Sequence, residues 1–285
     1  MIKKKILVLG INGLLGNRVF LNLSKNNKIN VFGTLRNTKE KFFNKNKNKI
    51  FKFNLNKLEN IKKIIKKIEP EYVINCIGIT NKKINETKNS DIVKINSLFP
   101  HYLDELSIRH NFKFVHISTD CIFAGNKNFY TEEDKCDVSD IYGTSKFTGE
   151  IRNSKSVTFR TSIIGHELNE KNGLLEWFLS KNKVFGFHKV IYSGVTTNEL
   201  SRIIEKCIFK YDLKGLYQIS SNPISKFELL NLINKIYNRK IIIKKNLSVK
   251  KKLILKSTKF KKKTKIKVNS WMQQIINMKK ENDEK

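Results

Sequence analysis

The chain has few cysteines and few acidic residues for its size, and both shortages narrow its function. Its 285 residues include four cysteines, and 25 acidic residues are set against 57 lysines and arginines. The cysteines form no CxxC pair and no cluster with histidine, so we expect no metal site and no disulfide framework. A reducing cytoplasm is the expected location. No apolar run approaches the roughly 18 residues of a membrane-spanning helix, so we expect no membrane partner.

The excess of basic residues does not by itself indicate a nucleic-acid partner. The formal charge is +32, but only seven of the basic residues are arginines, which leaves 50 lysines interspersed with asparagine and isoleucine. This spreads the charge over many faces, and the platforms of aromatic residues and arginine typical of nucleic-acid sites are missing. We therefore expect no specific nucleic-acid partner.

Short apolar strands alternate with amphipathic helices over much of the chain. The pattern predicts strands over 4–9, 30–35, 51–53, 72–77, 113–118, 156–161 and 215–219. Helices are predicted over 14–24, 58–68, 91–110, 142–151 and 198–209, with a kink at Pro100. This alternation is typical of a doubly wound, parallel α/β sheet of the Rossmann type.

The remaining segments predict a smaller lobe. Residues 163–197 are expected to be irregular apart from a helix over 174–179, and residues after Pro223 predict helices over 227–237 and 271–278 and a strand over 241–243. We expect a dinucleotide-binding domain of residues 1–162 plus about 197–220. Residues from about 163–196 plus 221–285 would form a substrate-binding lobe. The lysine-rich stretch 259–267 is interpreted as solvated surface.

The strongest motif is GINGLLG, which follows the first predicted strand and opens the first helix. Gly10 permits a tight turn, Gly13 lets the backbone approach a pyrophosphate, and Gly16 allows close packing of helix and strand. The phosphates would meet free backbone N–H groups and the positive end of the helix dipole. The motif predicts a dinucleotide site bordered by residues 10 and 12–16, which include Asn12, Leu14 and Leu15.

Arg36 occupies the position that distinguishes NADP from NAD. It lies 20 residues after Gly16, at the end of the second predicted strand. An acidic residue there would accept the ribose 2′-hydroxyl of NAD, whereas a guanidinium can pair with the 2′-phosphate of NADP. The sequence therefore favours NADP(H) over NAD(H).

A second motif, YGTSK, opens the helix predicted from residue 142. Residues four apart share a helix face, so Lys146 can lie beside Tyr142 and favour its phenolate, which would make the tyrosine an acid–base group. Thr119, at the end of a predicted strand, could hydrogen-bond a carbonyl oxygen.

Taken together, the motifs GINGLLG, NCIGIT, STDCIFAG, YGTSK and RTSIIG resemble the extended short-chain dehydrogenase/reductases. The resemblance is greatest to the dTDP-4-dehydrorhamnose reductases and related nucleotide-sugar enzymes, and it covers nearly the whole chain. It implies that Thr119, Tyr142 and Lys146 reduce a 4-keto-6-deoxysugar linked to a nucleotide. In this mechanism Tyr142 donates the proton and Lys146 holds the nicotinamide ribose.

The same resemblance implies further site residues. Those expected to border the cofactor are Asn54, Leu55, Asn75, Cys76, Ile77 and Gly78, with Asn96 behind the site. Asp120 and Trp177 are expected near the substrate, although Trp177 could instead be a packing residue under the lobe.

Three questions stay open at this level. Asp120 is followed by Cys121 where sugar-nucleotide dehydratases carry glutamate, which disfavours dehydration. An epimerase of the same superfamily, and a non-catalytic NADP-binding regulatory subunit, are alternatives to the reductase. A homodimer is possible, and no ligand cluster supports the Mg²⁺ that assists some relatives.

Overall fold

A computed structural model describes residues 3–36, 49–152, 154–168 and 173–283. The strands in chain order are Lys4–Leu9 (β1), Ile29–Leu35 (β2), Ile50–Lys52 (β3), Tyr72–Asn75 (β4), Lys113–Thr119 (β5), Val157–Thr161 (β6), Ile163–Ile164 (β7), Lys183–Phe187 (β8), Val190–Tyr192 (β9), Val195–Thr196 (β10), Gly215–Gln218 (β11), Ile224–Ser225 (β12), Ile242–Asn246 (β13) and Lys251–Leu253 (β14). The helices are Leu14–Ser24 (α1), Glu59–Ile68 (α2), Asn89–Val93 (α3), Phe99–Arg109 (α4), Ile141–Thr148 (α5), Leu174–Leu179 (α6), Thr197–Lys210 (α7), Lys226–Ile236 (α8), Thr258–Thr264 (α9) and Trp271–Asp283 (α10).

Seven parallel strands form the central sheet, in the order β11-β6-β5-β4-β1-β2-β3. The order reverses between β1 and β4, and in sheets of this kind ligands bind in the crevice beyond the carboxyl ends of the strands at that reversal. The predicted doubly wound α/β fold is confirmed.

Strand β1 shows why the sheet is covered on both faces. Ile6 and Val8 belong to one buried apolar cluster, while Leu7 and Leu9 belong to another. All four side chains are fully buried, which is the pattern of a parallel strand with helices on either side.

A third apolar cluster lies outside the central sheet, in the segments that are predicted to form the lobe. Its helices α6, α8 and α10 contribute Phe178, Leu229 and Ile275, among others. Short strands complete it, because β9 pairs with β12 and β14, and β8 pairs with β13. The expectation that residues 163–197 are irregular apart from one helix is therefore wrong. Strands of two to five residues are too short to show a period, and most of their partners are distant in sequence.

Two further expectations need correction. The helix predicted over 91–110 is interrupted by a π turn at Lys94–Leu98. This turn ends two residues before Pro100, where the sequence predicts a kink. Pro100 instead lies in the first turn of α4, where its missing N–H is tolerated. The lysine-rich stretch is not simply solvated surface, because it contains α9, whose Phe260 is fully buried and contacts the Tyr217 ring.

None of the helices within the described ranges is both long and apolar enough to cross a membrane.

A fully buried ion pair connects α5 to β6. Arg160 donates from Nε and from a terminal nitrogen to the two carboxylate oxygens of Glu150, each at 2.8 Å. Ser118 and Arg152 donate to the same carboxylate. Burial alone would raise the pKa of Glu150, but these partners, Arg160 above all, bring the pKa below its ordinary value. The carboxylate therefore stays ionised beneath the end of β5.

Removing Arg160 should be far more costly than removing the second arginine on the same carboxylate. We predict that Arg160→Met lowers the free energy of unfolding by about 3–5 kcal/mol, because the buried Glu150 carboxylate loses both hydrogen bonds of its buried cationic partner and keeps only the partly exposed Arg152. Arg152→Met, which removes a partly exposed partner, should cost about 0–1 kcal/mol. Urea unfolding measures both, and equal losses would contradict the assigned role of the buried pair.

Candidate active site

The GINGLLG segment forms a tight turn between β1 and α1. Gly10 has a left-handed φ of 77°, and its N–H and that of Ile11 donate to the Thr34 carbonyl at 3.1 and 2.9 Å. A Cβ on Gly16 would lie 2.1 Å from the Gly10 carbonyl oxygen. These two positions therefore require glycine for geometric reasons, as the sequence predicts.

The turn presents the N-terminus of α1 at the carboxyl edge of the sheet. In the described chain no side chain caps this helix, so its first N–H groups are available to an anion. Gly13 is exposed and Asn12 and Leu14 are half-buried, whereas Leu15 is buried in the core and can offer only its backbone. This geometry fits the pyrophosphate of a dinucleotide.

The segment after β4 forms the facing wall. The Asn75 side chain accepts from the Ile77 N–H at 3.0 Å and so shapes this turn. A Cβ on Gly78 would lie 3.9 Å from Lys146 Nζ. Burial raises the pKa of Cys76 to about 12, so its thiol stays protonated. Cys76, Ile77 and Gly78 thus lie between the glycine turn and Lys146, where the cofactor residues are expected.

The residues expected near the adenosine follow β2 and β3, at one edge of the central sheet. Arg36 is exposed and lies one residue beyond β2. It forms no ion pair with an acidic residue of the described chain. Asn54 is exposed, but its side-chain oxygen already accepts from the Asn56 N–H at 3.0 Å. Leu55 packs against the second apolar cluster.

The catalytic candidates meet where β5 ends and α5 begins. Thr119 is the last residue of β5, and its hydroxyl accepts from the Cys121 N–H at 3.1 Å. Asp140 caps α5 by accepting from the Gly143 N–H at 2.9 Å. A Cβ on Gly143 would lie 2.8 Å from the Cys121 carbonyl oxygen, so only glycine lets α5 approach so closely. This contact brings Tyr142 to Thr119.

The surroundings of Tyr142 raise the pKa of its phenol. Burial raises the pKa of Tyr142, the nearby Cys121 adds to this, and a hydrogen bond with Thr119 opposes it. The Nζ of Lys146 donates a hydrogen bond to the Ile117 carbonyl at 2.7 Å and not to the Tyr142 hydroxyl. Burial lowers the pKa of Lys146 to about 8. In this structure Tyr142 keeps its proton, and the effect of Lys146 on the phenolate stays a prediction.

Asn96 connects the cofactor wall to the catalytic helix. It lies in the π turn, where its side chain accepts from the Ile79 N–H at 2.8 Å and donates to the Ile79 carbonyl at 3.0 Å. It also donates to the Ser145 hydroxyl at 3.2 Å. The π turn thus aims one amide at both α5 and the segment after β4.

The two predicted substrate residues have different environments. Asp120 is 2% exposed and follows Thr119 directly. Trp177 is 39% exposed on α6, whose buried side is formed by Leu175 and Phe178, so it is not a packing residue under the lobe. Sequence reasoning missed Tyr192 and Lys226, two residues of the lobe that interact electrostatically with Asp120.

The comparison with protein families identifies the chain. The family described as "RmlD substrate binding domain" matches residues 4–283. This protein belongs to the RmlD substrate-binding-domain family.

Individual relatives of this RmlD-family protein are more distant. It is 31% identical over 172 residues to a dTDP-4-dehydrorhamnose reductase of Aggregatibacter actinomycetemcomitans, covering 56% of this chain and 58% of the relative. It is 28% identical over 148 residues to methionine adenosyltransferase 2 subunit beta of Danio rerio, covering 52% and 42%. The chain therefore spans less than two thirds of these relatives.

A solved structure shares the fold over almost the full length of the RmlD-family chain. It is a dTDP-4-dehydrorhamnose reductase from Bacillus anthracis in complex with NADP, with a TM-score of 0.81 and 20% identity. The match covers 98% of this chain and 100% of the other.

No group of three or more histidine, cysteine, aspartate or glutamate side chains in the described parts of this RmlD-family protein could hold a metal ion.

Two glycines of the turn should respond differently to an added methyl group. We predict that Gly16→Ala destabilises the fold by about 1–3 kcal/mol, because the new Cβ would overlap the Gly10 carbonyl. Gly13→Ala should cost less, since its Cβ would lie 3.4 Å from that oxygen. Thermal unfolding without ligand measures both, and a larger loss for Gly13→Ala would contradict this description of the turn.

Proposed function

We propose that this protein is an NADPH-dependent reductase of a nucleotide-linked 4-keto-6-deoxysugar, in deoxysugar or surface-polysaccharide biosynthesis. The observation that carries the proposal is the convergence of Thr119, Tyr142 and Lys146 beside the glycine turn. The family and the reductases similar to the chain support it.

Tyr142 is suited to act as the proton donor. When bound, NADPH supplies hydride to the carbonyl carbon of the sugar. Tyr142 keeps its proton at neutral pH because burial raises its pKa, and it gives this proton to the carbonyl oxygen as the alcohol forms. Thr119 holds the same oxygen by a hydrogen bond. Thr119 is buried and Tyr142 is half-buried, and this limited contact with water strengthens both interactions.

The chain offers distinct groups for each part of the cofactor. The uncapped start of α1 in the described chain would hold the pyrophosphate, and Cys76, Ile77 and Gly78 would border the cofactor along the facing wall. Lys146 would exchange its bond to the Ile117 carbonyl for the nicotinamide ribose. Arg36, exposed at the end of β2, would pair with the 2′-phosphate, which supports NADPH over NADH.

The similarity to methionine adenosyltransferase 2 subunit beta supports a second candidate function, that of a non-catalytic subunit. A non-catalytic subunit of this fold would bind NADP and a partner chain without turnover. The Tyr142 variant distinguishes the two functions.

We predict that Tyr142→Phe lowers kcat at least about 10²-fold, because the proton donor is lost. The dissociation constant for NADPH should change less than about threefold, since the ring remains. Turnover is followed as NADPH oxidation with dTDP-4-dehydrorhamnose and related nucleotide-linked 4-keto-6-deoxysugars. The control is Tyr72→Phe. Tyr72 lies at the amino end of β4, and its hydroxyl donates to the Ile208 carbonyl. Full activity of Tyr142→Phe, or no wild-type turnover across the panel despite tight NADPH binding, would contradict the reductase.

The binding of NADPH should weaken with rising pH above about 8. The pKa of Lys146 is lowered to about 8 in the free protein, so above this pH the group is neutral. The anionic cofactor stabilises the charged form and raises this pKa on binding, so the affinity must fall as pH rises between the two values.

Fluorescence titration from about pH 7 to pH 9.5, above the titration of the 2′-phosphate, measures this slope. In Lys146→Met the slope should disappear. A wild-type affinity that is constant over this range, or an unchanged slope in the variant, would contradict the role given to Lys146.

A further inference from the structure

A buried phenol in the lobe has no hydrogen-bond partner. Tyr192 is 5% exposed, and its hydroxyl is unpartnered among the described residues. An unpaired buried hydroxyl destabilises the folded protein, so it needs an explanation. Tyr192 lies in β9, which pairs antiparallel with β12 so that Tyr192 is opposite Ile224.

The same pairing places a lysine beside the phenol. Lys226 is the first residue of α8, and the capping box of Ser225 and Glu228 fixes its backbone. Its Nζ lies 5.3 Å from the centre of the Tyr192 ring. Burial lowers the pKa of Lys226, Asp120 and Cys121 oppose this, and Lys82 and Lys251 add to it. Lys226 therefore interacts electrostatically with an acid and with two other cations.

The acid that acts on this lysine is Asp120, which directly follows β5 of the central sheet. Burial raises the pKa of Asp120, whereas the charge of Lys226 lowers it. The contacts of its carboxylate are long, at 3.4 Å from the Thr119 hydroxyl and 3.7 Å from the Cys121 sulfur. No direct ion pair joins Asp120 and Lys226 within the described chain, so the two groups attract each other across a gap.

We propose that Asp120, Lys226 and Tyr192 form a specificity subsite for a hydroxyl group of the sugar ring, next to the carbonyl that Tyr142 protonates. The subsite rests on the proposed function and adds two residues to it. Asp120 directly follows Thr119, and its carboxylate lies 3.4 Å from the Thr119 hydroxyl, which places the subsite at the reacting end of the crevice. The charge of Asp120 also acts on Tyr142 and Tyr192.

A neutral hydroxyl is the group that fits this set of partners. It donates its one proton to the Asp120 carboxylate, accepts from the Lys226 ammonium with one lone pair, and accepts from the Tyr192 phenol with the other. An amino sugar would bring a cation against three lysines, and a carboxylate would meet Asp120. A deoxy sugar would leave the buried Asp120, the half-buried Lys226 and the Tyr192 phenol without this partner, and sites built to bind a hydroxyl reject such analogues strongly.

The main competing interpretation is a site for the diphosphate of the same substrate. Lys82, Lys226 and Lys251 would attract it, but the buried Asp120 carboxylate would repel it. The two interpretations differ in which part of the ligand Lys226 binds. Comparison of dTDP with dTDP-rhamnose separates them.

The test is calorimetric binding of these two probes to the full chain saturated with NADP⁺. We expect Lys226→Met to weaken dTDP-rhamnose at least about 30-fold and dTDP less than about threefold, because only the sugar hydroxyl loses its donor. Tyr192→Phe, which keeps the ring and its packing, should weaken dTDP-rhamnose about 3-fold to 10-fold. The control is Lys245→Met, another lysine of the lobe, whose Nζ lies 5.9 Å from the Phe227 ring centre. It should change neither affinity.

Equal weakening of both probes by Lys226→Met would overturn the subsite in favour of the diphosphate. If Lys226→Met does not weaken the binding of dTDP-rhamnose, the subsite is overturned as well.

Turnover assays of the same variants separate this inference from the reductase. If binding depends on Lys226 but the wild type shows no turnover, the reductase fails and the subsite stands. If the wild type turns over and Lys226→Met is unchanged, the subsite fails and the reductase stands. Absence of both binding and turnover would overturn both.

Discussion

The candidate site depends on the close packing of helix α5 against the end of strand β5. Added Cβ atoms on Gly143 and Gly149 would lie 2.8 Å from the Cys121 carbonyl oxygen and 2.0 Å from that of Asn96. Beyond the helix, Glu150 accepts from Ser118 and is held by the buried Arg160. Two glycines and one buried ion pair thus fix the distance between Tyr142, on the helix, and Thr119, on the strand.

Burial then determines the protonation of the site. It keeps Tyr142 protonated, and it lowers the pKa of Lys146 to about 8. A phenol that holds its proton is suited to donation to a carbonyl oxygen, which is the direction of a reduction. A lysine near its titration point is sensitive to the charge of a bound dinucleotide. The same low polarity makes the separation of Asp120 and Lys226 costly until a polar ligand lies between them.

Local patterns predicted much of the fold, including the glycine turn at which a cofactor is proposed to bind. An apolar run, a glycine turn and an amphipathic helix gave the observed bounds of β1 and α1, because every signal lies within a few residues. The lobe was harder to predict, since Tyr192 meets Lys226 only through the pairing of two short strands. The partner of Lys146 was also beyond the sequence. Helical spacing places it beside Tyr142, but the Ile117 carbonyl that it contacts comes from another element.

The most direct test of the account is to follow the hydride. NADPH carrying deuterium at C4 of the nicotinamide would be incubated with the protein and dTDP-4-dehydrorhamnose, and the sugar product analysed by NMR. The account predicts deuterium on the carbon that held the carbonyl, at one stereochemical position. Unlabelled product with unconsumed NADPH, or deuterium at any other ring carbon, would contradict the proposal that this chain is a carbonyl reductase.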